Sequence, residues 1–126
     1  PHTAQVAALA ALQSDVWEIV EARRQEFERR RDRLIVGLGD IGFNVPNVPE
    51  GAFYVYAECD RFLPQFGADS LEFAFAMIER AGVAFAPGVD FSDHDGRRHV
   101  RFSYTTSMDK IDEGLDRLHR ALRSDS

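Results

Sequence analysis

The sequence predicts an α+β domain, in which a long N-terminal helical segment precedes a small, mainly antiparallel three-stranded sheet packed on helices in the order β-α-β-β-α. Helical periodicity fills residues 1–42, whereas residues 43–126 alternate short β-branched or aromatic runs with amphipathic helical runs. The chain has 126 residues, of which 44% are hydrophobic and 29% are charged. This is the size and composition of one globular domain with a sizeable core.

Two helices are predicted in residues 1–42. Alanine and leucine dominate residues 3–13, and both residue types lose little entropy in a helix. Asp15 and Glu18 have the spacing of a capping box, which predicts the start of a second, longer helix. That helix is predicted to end at Gly37, Gly39 and Gly42. Its one narrow apolar stripe fits either a strut against a larger body or a surface helix of a self-sufficient domain. The stripe comprises Val16, Ile19, Val20, Phe27, Leu34 and Leu38.

Three strands are predicted in the rest of the chain. Residues 52–57 (AFYVYA) are rich in aromatic and β-branched side chains, which favour a strand. Residues 83–86 form a short second strand that Pro87-Gly88 closes. Residues 99–105 form the third strand, after a polar turn at residues 92–96.

Two amphipathic helices are predicted between and after these strands. Asp69 and Glu72 repeat the capping-box spacing, and Gly82 stands where a helix-ending glycine belongs. The predicted buried face of this helix comprises Leu71, Ala74, Phe75 and Ile78. Ser107 is the predicted N-cap of the last helix. The apolar face of the last helix comprises Ile111, Leu115, Leu118 and Leu122.

The charge pattern argues against a nucleic-acid or membrane partner. The formal net charge is −6, whereas nucleic-acid binding favours basic surfaces. The arginine-rich run at residues 29–33 is interleaved with acidic residues, which is typical of a solvated helix face with i,i+4 ion pairs. No run approaches the ~18 apolar residues of a membrane span, and no signal-peptide pattern opens the chain. Together with the single cysteine, Cys59, these features predict a cytoplasmic protein.

Arg101 is the candidate binding residue. Alternation along the third strand places one set of side chains in the core and the other set on the opposite face. The core set is Val100, Phe102 and Tyr104, and the opposite set is His99, Arg101 and Ser103. An arginine fixed in mid-strand is suited to bind a carboxylate, because its planar fork donates two parallel charge-assisted hydrogen bonds. From spacing alone, the alternative is an arginine on a solvated sheet face.

No catalytic, cofactor-binding or metal-binding residue is predicted in this chain. His94 and His99 lack the paired ligand spacing of a zinc site, and no glutamate stands at the twelfth position of an EF-hand. We interpret the acidic and histidine residues here as a hydrophilic turn. The G-x-G-x-x-G match at residues 37–42 follows a helix rather than a strand, which is the wrong context for a dinucleotide. No nucleophile motif is present.

Four segments, taken together, resemble one protein family. They are residues 49–55 (PEGAFYV), 81–88 (AGVAFAPG), 90–91 (DF) and 100–104 (VRFSY). In this order and spacing they are similar to the C-terminal small domain of class I/II aminotransferases, the pyridoxal-phosphate enzymes of fold type I. The first five residues and the helix ending in RDRL resemble the end of that family's large domain and its connecting helix. The resemblance implies that residues 1–42 connect to a large domain and that residues 43–126 form the small domain.

The resemblance implies a role for Arg101. It matches the arginine that, in the family, binds the α-carboxylate of the amino-acid or 2-oxo-acid substrate. Pro87-Gly88 and Phe91 match the loop that brings the last strands close to the cofactor cleft, and residues 51–54 match a supporting strand. Ser92 stands where many members have glycine, which leaves the conformation of this loop open.

The resemblance also implies a cofactor that this chain does not bind alone. The family uses pyridoxal phosphate, held as a Schiff base by a lysine of the large domain. Lys110, the only lysine here, comes after the arginine strand and is interpreted as a surface residue. We therefore expect a homodimeric parent enzyme that transaminates and an isolated chain that is inactive. The alternatives are the small domain of a pyridoxal-phosphate-dependent C–S lyase, an aminotransferase-like transcription regulator, and a free-standing α+β ligand-binding module.

Overall fold

The fold was obtained as a computed structural model, and the structure describes residues 1–123. Five helices and three strands follow one another as helix, helix, strand, helix, helix, strand, strand, helix. They are α1 (His2–Ala11), α2 (Ser14–Ile41), β1 (Tyr54–Glu58), α3 (Leu63–Phe66), α4 (Ser70–Ala81), β2 (Ala86–Pro87), β3 (His99–Ser103) and α5 (Met108–Arg123). Single 3-10 turns lie at Asp60–Phe62, Gly88–Asp90 and Gly96–Arg98. The order agrees with the predicted one, apart from the added short helix α3.

The three strands form one antiparallel sheet in the order β1-β3-β2, which confirms the predicted sheet. In the register between β1 and β3, Tyr56 lies opposite Arg101. All three strands are shorter than predicted, and β3 ends at Ser103, two residues before its predicted end. β1 begins two residues late because Ala52 turns the chain with φ at 62°. β2 comprises Ala86, the last residue of the predicted strand, and Pro87, which was predicted to close it. The amide of Val83 is used at the end of α4, where it donates to the Met77 carbonyl.

Only the C-terminal half of α2 enters the core. Leu34 and Leu38 are buried, whereas Ile19 and Val20 at the other end of the predicted stripe are exposed. Residues that the sequence assigned to a connecting segment thus help to form the core, and the boundary after residue 42 stays a prediction. The predicted buried face of α5 is confirmed, since Ile111, Leu115 and Leu118 are buried and Leu122 packs against the core.

The glycines of α2 play different parts from those predicted. Only Gly42 ends the helix, in a left-handed conformation with φ at 113°. Gly37 and Gly39 lie inside the helix. A Cβ atom at Gly37 would overlap the side chain of Leu115, so this glycine lets α5 approach α2 closely.

One of the two predicted capping boxes forms and the other does not. The Asp69 carboxylate accepts hydrogen bonds from the Leu71 and Glu72 amides, so α4 begins as predicted. The box at Asp15 is wrong, because α2 begins one residue earlier, after Gln13, and no side chain caps it. Asp15 accepts instead from the neighbouring Val16 amide, at 3.0 Å.

The predicted buried face of α4 is wrong except for Ala74. Leu71, Phe75 and Ile78 are 42%, 59% and 46% exposed. The helix instead buries Phe73 and Met77 on a neighbouring stripe. Ser70 is also fully buried there, because its hydroxyl donates to the Gly96 carbonyl at 2.7 Å. The rings at the centre of the core are Phe43, Phe62, Phe66, Phe73, Phe85 and Phe102.

The arginine-rich part of α2 is a mixed-charge helix face, as predicted. Glu26 forms ion pairs with Arg29 at 3.1 Å and with Arg30 at 2.9 Å. Arg24 pairs with Glu21 one turn before it and with Glu28 one turn after it. In the part of the chain that the structure describes, no helix combines the length and the hydropathy that a bilayer crossing requires.

Burial of Cys59 makes the stability of the fold fall at high pH. The side chain is fully buried, and burial raises the pKa of its thiol from 9.0 to about 12. The folded chain therefore keeps the thiol proton in a range where the unfolded chain loses it. The stability gained from the neutral thiol is complete below pH 9 and is lost as the pH rises towards 12, at up to ~1.4 kcal/mol per pH unit.

We expect Cys59→Ala to flatten this dependence. Urea unfolding at pH 8 and at pH 10.5 would show a smaller loss of unfolding free energy for Cys59→Ala than for the wild type. Burial is the main cause that raises the pKa values of Tyr56 and Tyr104, and this cause is present in both proteins. Identical losses in the two proteins would contradict the assignment.

Candidate active site on the sheet

The sheet presents its two faces as the alternation predicts. Val100, Phe102 and Tyr104 are buried in the core, with 0%, 6% and 2% of their surfaces exposed. Arg101 and His99 are half-buried on the opposite face. The candidate arginine is thus held on a strand between two neighbouring strands, on the face of the sheet opposite the core.

Two aromatic rings flank the Arg101 guanidinium. Its central carbon lies 3.9 Å from the centroid of the Phe91 ring and 5.0 Å from that of Tyr54. Tyr54 comes from β1 and Phe91 from the loop after β2, and β3 runs between them. Among residues 1–123, no carboxylate forms an ion pair with Arg101 and no acceptor takes its N–H groups. The guanidinium therefore has hydrogen-bonding capacity to offer to a ligand.

The loop that carries Phe91 is held by a close approach of two glycines. Gly88 and Gly96 pack backbone to backbone, and a Cβ atom on either one would overlap the main chain of the other. The Phe91 amide donates to the Gly88 carbonyl at 2.9 Å, and the Ser92 amide donates to the same carbonyl at 3.1 Å. Sequence resemblance placed Gly88 and Phe91 in this loop, and the structure adds their relation to Arg101.

A second aromatic pair lies beside Arg101 on the same face. The rings of Tyr56 and His99 stack, with centroids 4.8 Å apart and an interplanar angle of 3°. His99 Nδ1 donates to the Asp95 carbonyl oxygen at 2.9 Å, because a carbonyl only accepts. The Tyr56 hydroxyl is buried and has no partner in the described chain, and its desolvation raises the pKa of that hydroxyl.

The polar turn after Phe91 is closed by Ser92. Its hydroxyl accepts hydrogen bonds from the amides of His94 and Asp95, at 3.3 and 3.4 Å. A serine at this position thus closes the turn through its side chain. Donation from the Ser92 side chain to the Asp95 carboxylate is the main cause that lowers the pKa of that carboxyl. No three metal-ligating side chains cluster anywhere within residues 1–123.

Lys110 lies in the first turn of α5, with 67% of its side chain exposed. Its ammonium group forms an ion pair with Glu113 at 2.7 Å. The lysine is thus a surface residue, as the sequence predicts.

Comparison with known protein families identifies the family to which this chain is similar. The model of the family described as aminotransferase class I and II matches residues 1–118. The chain belongs to this family. Enzymes of the family use pyridoxal phosphate and act on amino acids and 2-oxo acids. The predicted resemblance to class I/II aminotransferases is confirmed, whereas the position of this chain as their C-terminal small domain stays a prediction.

Individual aminotransferases match nearly the whole chain. It is 34% identical over 122 residues to a (5-formylfuran-3-yl)methyl phosphate transaminase of Methanocaldococcus jannaschii, over 97% of this chain and 30% of that protein. It is 37% identical over 121 residues to an aspartate aminotransferase of Pyrococcus abyssi, over 94% of this chain and 29% of that protein. The crystal structure of an aromatic aminotransferase from Pyrococcus horikoshii matches with a TM-score of 0.83 and 33% identity, over 94% of this chain and 30% of that chain. The chain spans about three tenths of the length of these relatives.

Lys110 carries the one lysine amine of this chain. Covalent attachment needs a lysine amine, and the one lysine is ion-paired on the exposed surface of α5. The family resemblance implies that Tyr54 belongs to a supporting strand, but its ring lies against Arg101. The period-two alternation was the available signal, since Tyr54 lies opposite Ser103 on the Arg101 face of the sheet.

Proposed function

We propose that this chain is the C-terminal small domain of a pyridoxal-phosphate-dependent aminotransferase and that Arg101 binds the α-carboxylate of its substrates. Residues 1–42 would then connect to the large domain, and residues 43–126 would form the small domain. The observation that carries this proposal is an arginine fixed in mid-strand, flanked by two rings, with no carboxylate partner among residues 1–123. The family resemblance further supports a homodimeric, cytoplasmic parent enzyme.

Arg101 suits a carboxylate for reasons of geometry and charge. A guanidinium presents paired N–H donors in one plane, and these match the two oxygens of a carboxylate. The rings of Tyr54 and Phe91 contact the guanidinium without using its donors. They also cover part of the guanidinium, and a lower local dielectric strengthens a charge-assisted hydrogen bond.

Binding at Arg101 would orient the substrate for chemistry performed elsewhere in the parent enzyme. Binding of the carboxylate by Arg101 fixes the orientation of the amino acid around its α-carbon. The bond that is to be broken at that carbon then points in a defined direction. Closure of the small domain over the bound substrate would exclude water from the reaction. Pyridoxal phosphate, when bound by the parent enzyme, supplies the electron sink for that reaction.

The proposal has a direct test in the full-length enzyme. We expect Arg101→Ala to lower kcat/KM by about two orders of magnitude or more. An unchanged kcat/KM would remove Arg101 from the site.

The isolated chain of 126 residues is expected neither to retain pyridoxal phosphate nor to transaminate. The Lys110 amine is held by the Glu113 carboxylate at 2.7 Å on the exposed surface of α5. The measurement mixes equimolar chain and cofactor at micromolar concentration, reduces with borohydride, and records the protein-bound absorbance after gel filtration. Lys110→Ala is the matched control. Bound cofactor that disappears in Lys110→Ala would contradict the expectation.

A further inference from the structure

The orientation of the Arg101 side chain needs a physical cause. Arginine has several rotatable bonds and loses considerable entropy when it is held in one conformation. Ion pairs and hydrogen bonds usually fix such a side chain, yet none does so for Arg101 within residues 1–123. The contacts that the structure gives its guanidinium are the two aromatic rings.

The contact between Arg101 and Phe91 is closer than the other arginine–ring contacts described for this fold. It measures 3.9 Å, whereas the contacts of Arg30, Arg61 and Arg80 with phenylalanine rings measure 5.6, 6.0 and 5.1 Å. Arg101 also has a second ring, that of Tyr54, at 5.0 Å. A cation within about 6 Å of a ring centroid is attracted by the ring's negative face.

Core packing does not explain the position of Phe91. It is 49% exposed, although a phenylalanine ring gains most by burial. It is not a member of the core cluster, and its described ring contact is the one with Arg101. The loop beneath it is fixed by the Gly88–Gly96 approach, so the ring is held where the guanidinium meets it.

We propose that Phe91, assisted by Tyr54, is a positioning residue that holds the Arg101 guanidinium in its carboxylate-binding orientation. This inference rests on the proposed function of Arg101. Phe91 acts through the arginine and makes no bond to the substrate. Its removal leaves the charge in place but lets the guanidinium adopt other orientations, so a substrate must order it on binding.

The first test replaces Phe91 in the full-length enzyme. Phe91→Leu keeps an apolar side chain but removes the ring, and we expect it to raise KM about fivefold to thirtyfold with a smaller change in kcat. Phe91→Trp restores a ring and is expected to return KM to within about threefold of the wild type. Phe75→Leu is the matched control, because Phe75 is a comparably exposed phenylalanine on α4, which packs against the other face of the sheet. The control is expected to leave KM unchanged.

A double-mutant cycle separates positioning from general structural damage. If Phe91 acts through the guanidinium, Phe91→Leu lowers kcat/KM in the wild type but causes no further loss in Arg101→Ala. An equal loss in both backgrounds, or no loss in the wild type while Arg101→Ala is impaired, would overturn the positioning role and leave the role of Arg101 intact. An Arg101→Ala enzyme with unchanged kcat/KM would overturn the proposed function, and this inference with it.

Discussion

Replacing Arg101 by alanine in the full-length enzyme is expected to lower kcat/KM at least about one-hundredfold. Each hydrogen bond between a charged pair contributes roughly 1.5–3 kcal/mol, and the guanidinium fork can donate two of them to a carboxylate. Every 1.4 kcal/mol corresponds to about a factor of ten, so the loss of both bonds exceeds two orders of magnitude. Steady-state kinetics with an amino donor and a 2-oxo acid measure the effect on both half-reactions, since each substrate carries an α-carboxylate.

Two further variants test whether the loss of kcat/KM is specific to the guanidinium of Arg101. Arg101→Lys keeps the charge but loses the planar fork, and we expect a kcat/KM between those of the wild type and the alanine variant. Arg97→Ala removes an arginine from the turn just before β3, where the side chain is 71% exposed and pairs with Asp69 at 3.5 Å. It is expected to change kcat/KM less than about threefold, because an exposed ion pair contributes little. Equal losses in Arg97→Ala and Arg101→Ala would contradict a specific role for Arg101.

Phe73→Ala is expected to cost about 3–5 kcal/mol of unfolding free energy. Phe73 is fully buried, and its ring lies within 6.3 Å, between centroids, of the rings of Phe43, Phe62, Phe66 and Phe85. Removing this ring leaves a cavity bordered by the four neighbouring rings, which relax to fill only part of it. A loss of this size is comparable with the total stability of a small domain, so part of the variant is expected to be unfolded at 25 °C.

The control for Phe73→Ala lies two residues further along the same helix. Phe75 is 59% exposed, and Phe75→Ala is expected to change the unfolding free energy by less than about 0.5 kcal/mol. Urea unfolding of both variants of the 126-residue chain, followed by circular dichroism, measures the difference. Similar losses for the two variants would contradict the assignment of the buried face of α4.

The error on α4 has a physical origin that the sequence alone does not resolve. The helix carries two adjacent apolar stripes, one through Phe75 and one through Phe73. Periodicity identifies an amphipathic helix but does not choose between neighbouring apolar stripes. The choice is made by long-range contacts, namely the rings that surround Phe73 and the bond from Ser70 to the Gly96 carbonyl.

The sequence predicted the sheet and the face of Arg101 because both depend on local alternation. A strand that buries Val100 and Phe102 must turn Arg101 to the other side. Local alternation does not predict the contacts of the two rings with the guanidinium, because Tyr54 and Phe91 are separated from Arg101 by 47 and 10 positions along the chain. Their meeting depends on the strand order and on the path of the loop after β2.

Glycines show the same division between local and distant causes. Gly42 ends α2 through its own backbone conformation, which sequence rules describe well. Gly37 lies inside the helix, where Leu115, far along the chain, packs against it. A local rule therefore assigned both residues to the helix end, and only the helix pairing separates them.

The proposed binding of the substrate's acid group by Arg101 is tested most directly by a crystal structure of the full-length enzyme with a bound dicarboxylate, maleate. We expect two nitrogen atoms of the Arg101 guanidinium to lie about 2.7–2.9 Å from two oxygen atoms of one carboxylate, with the Phe91 ring still against the guanidinium. A maleate held in the active site by other residues, with Arg101 bonded only to water, would contradict the claim.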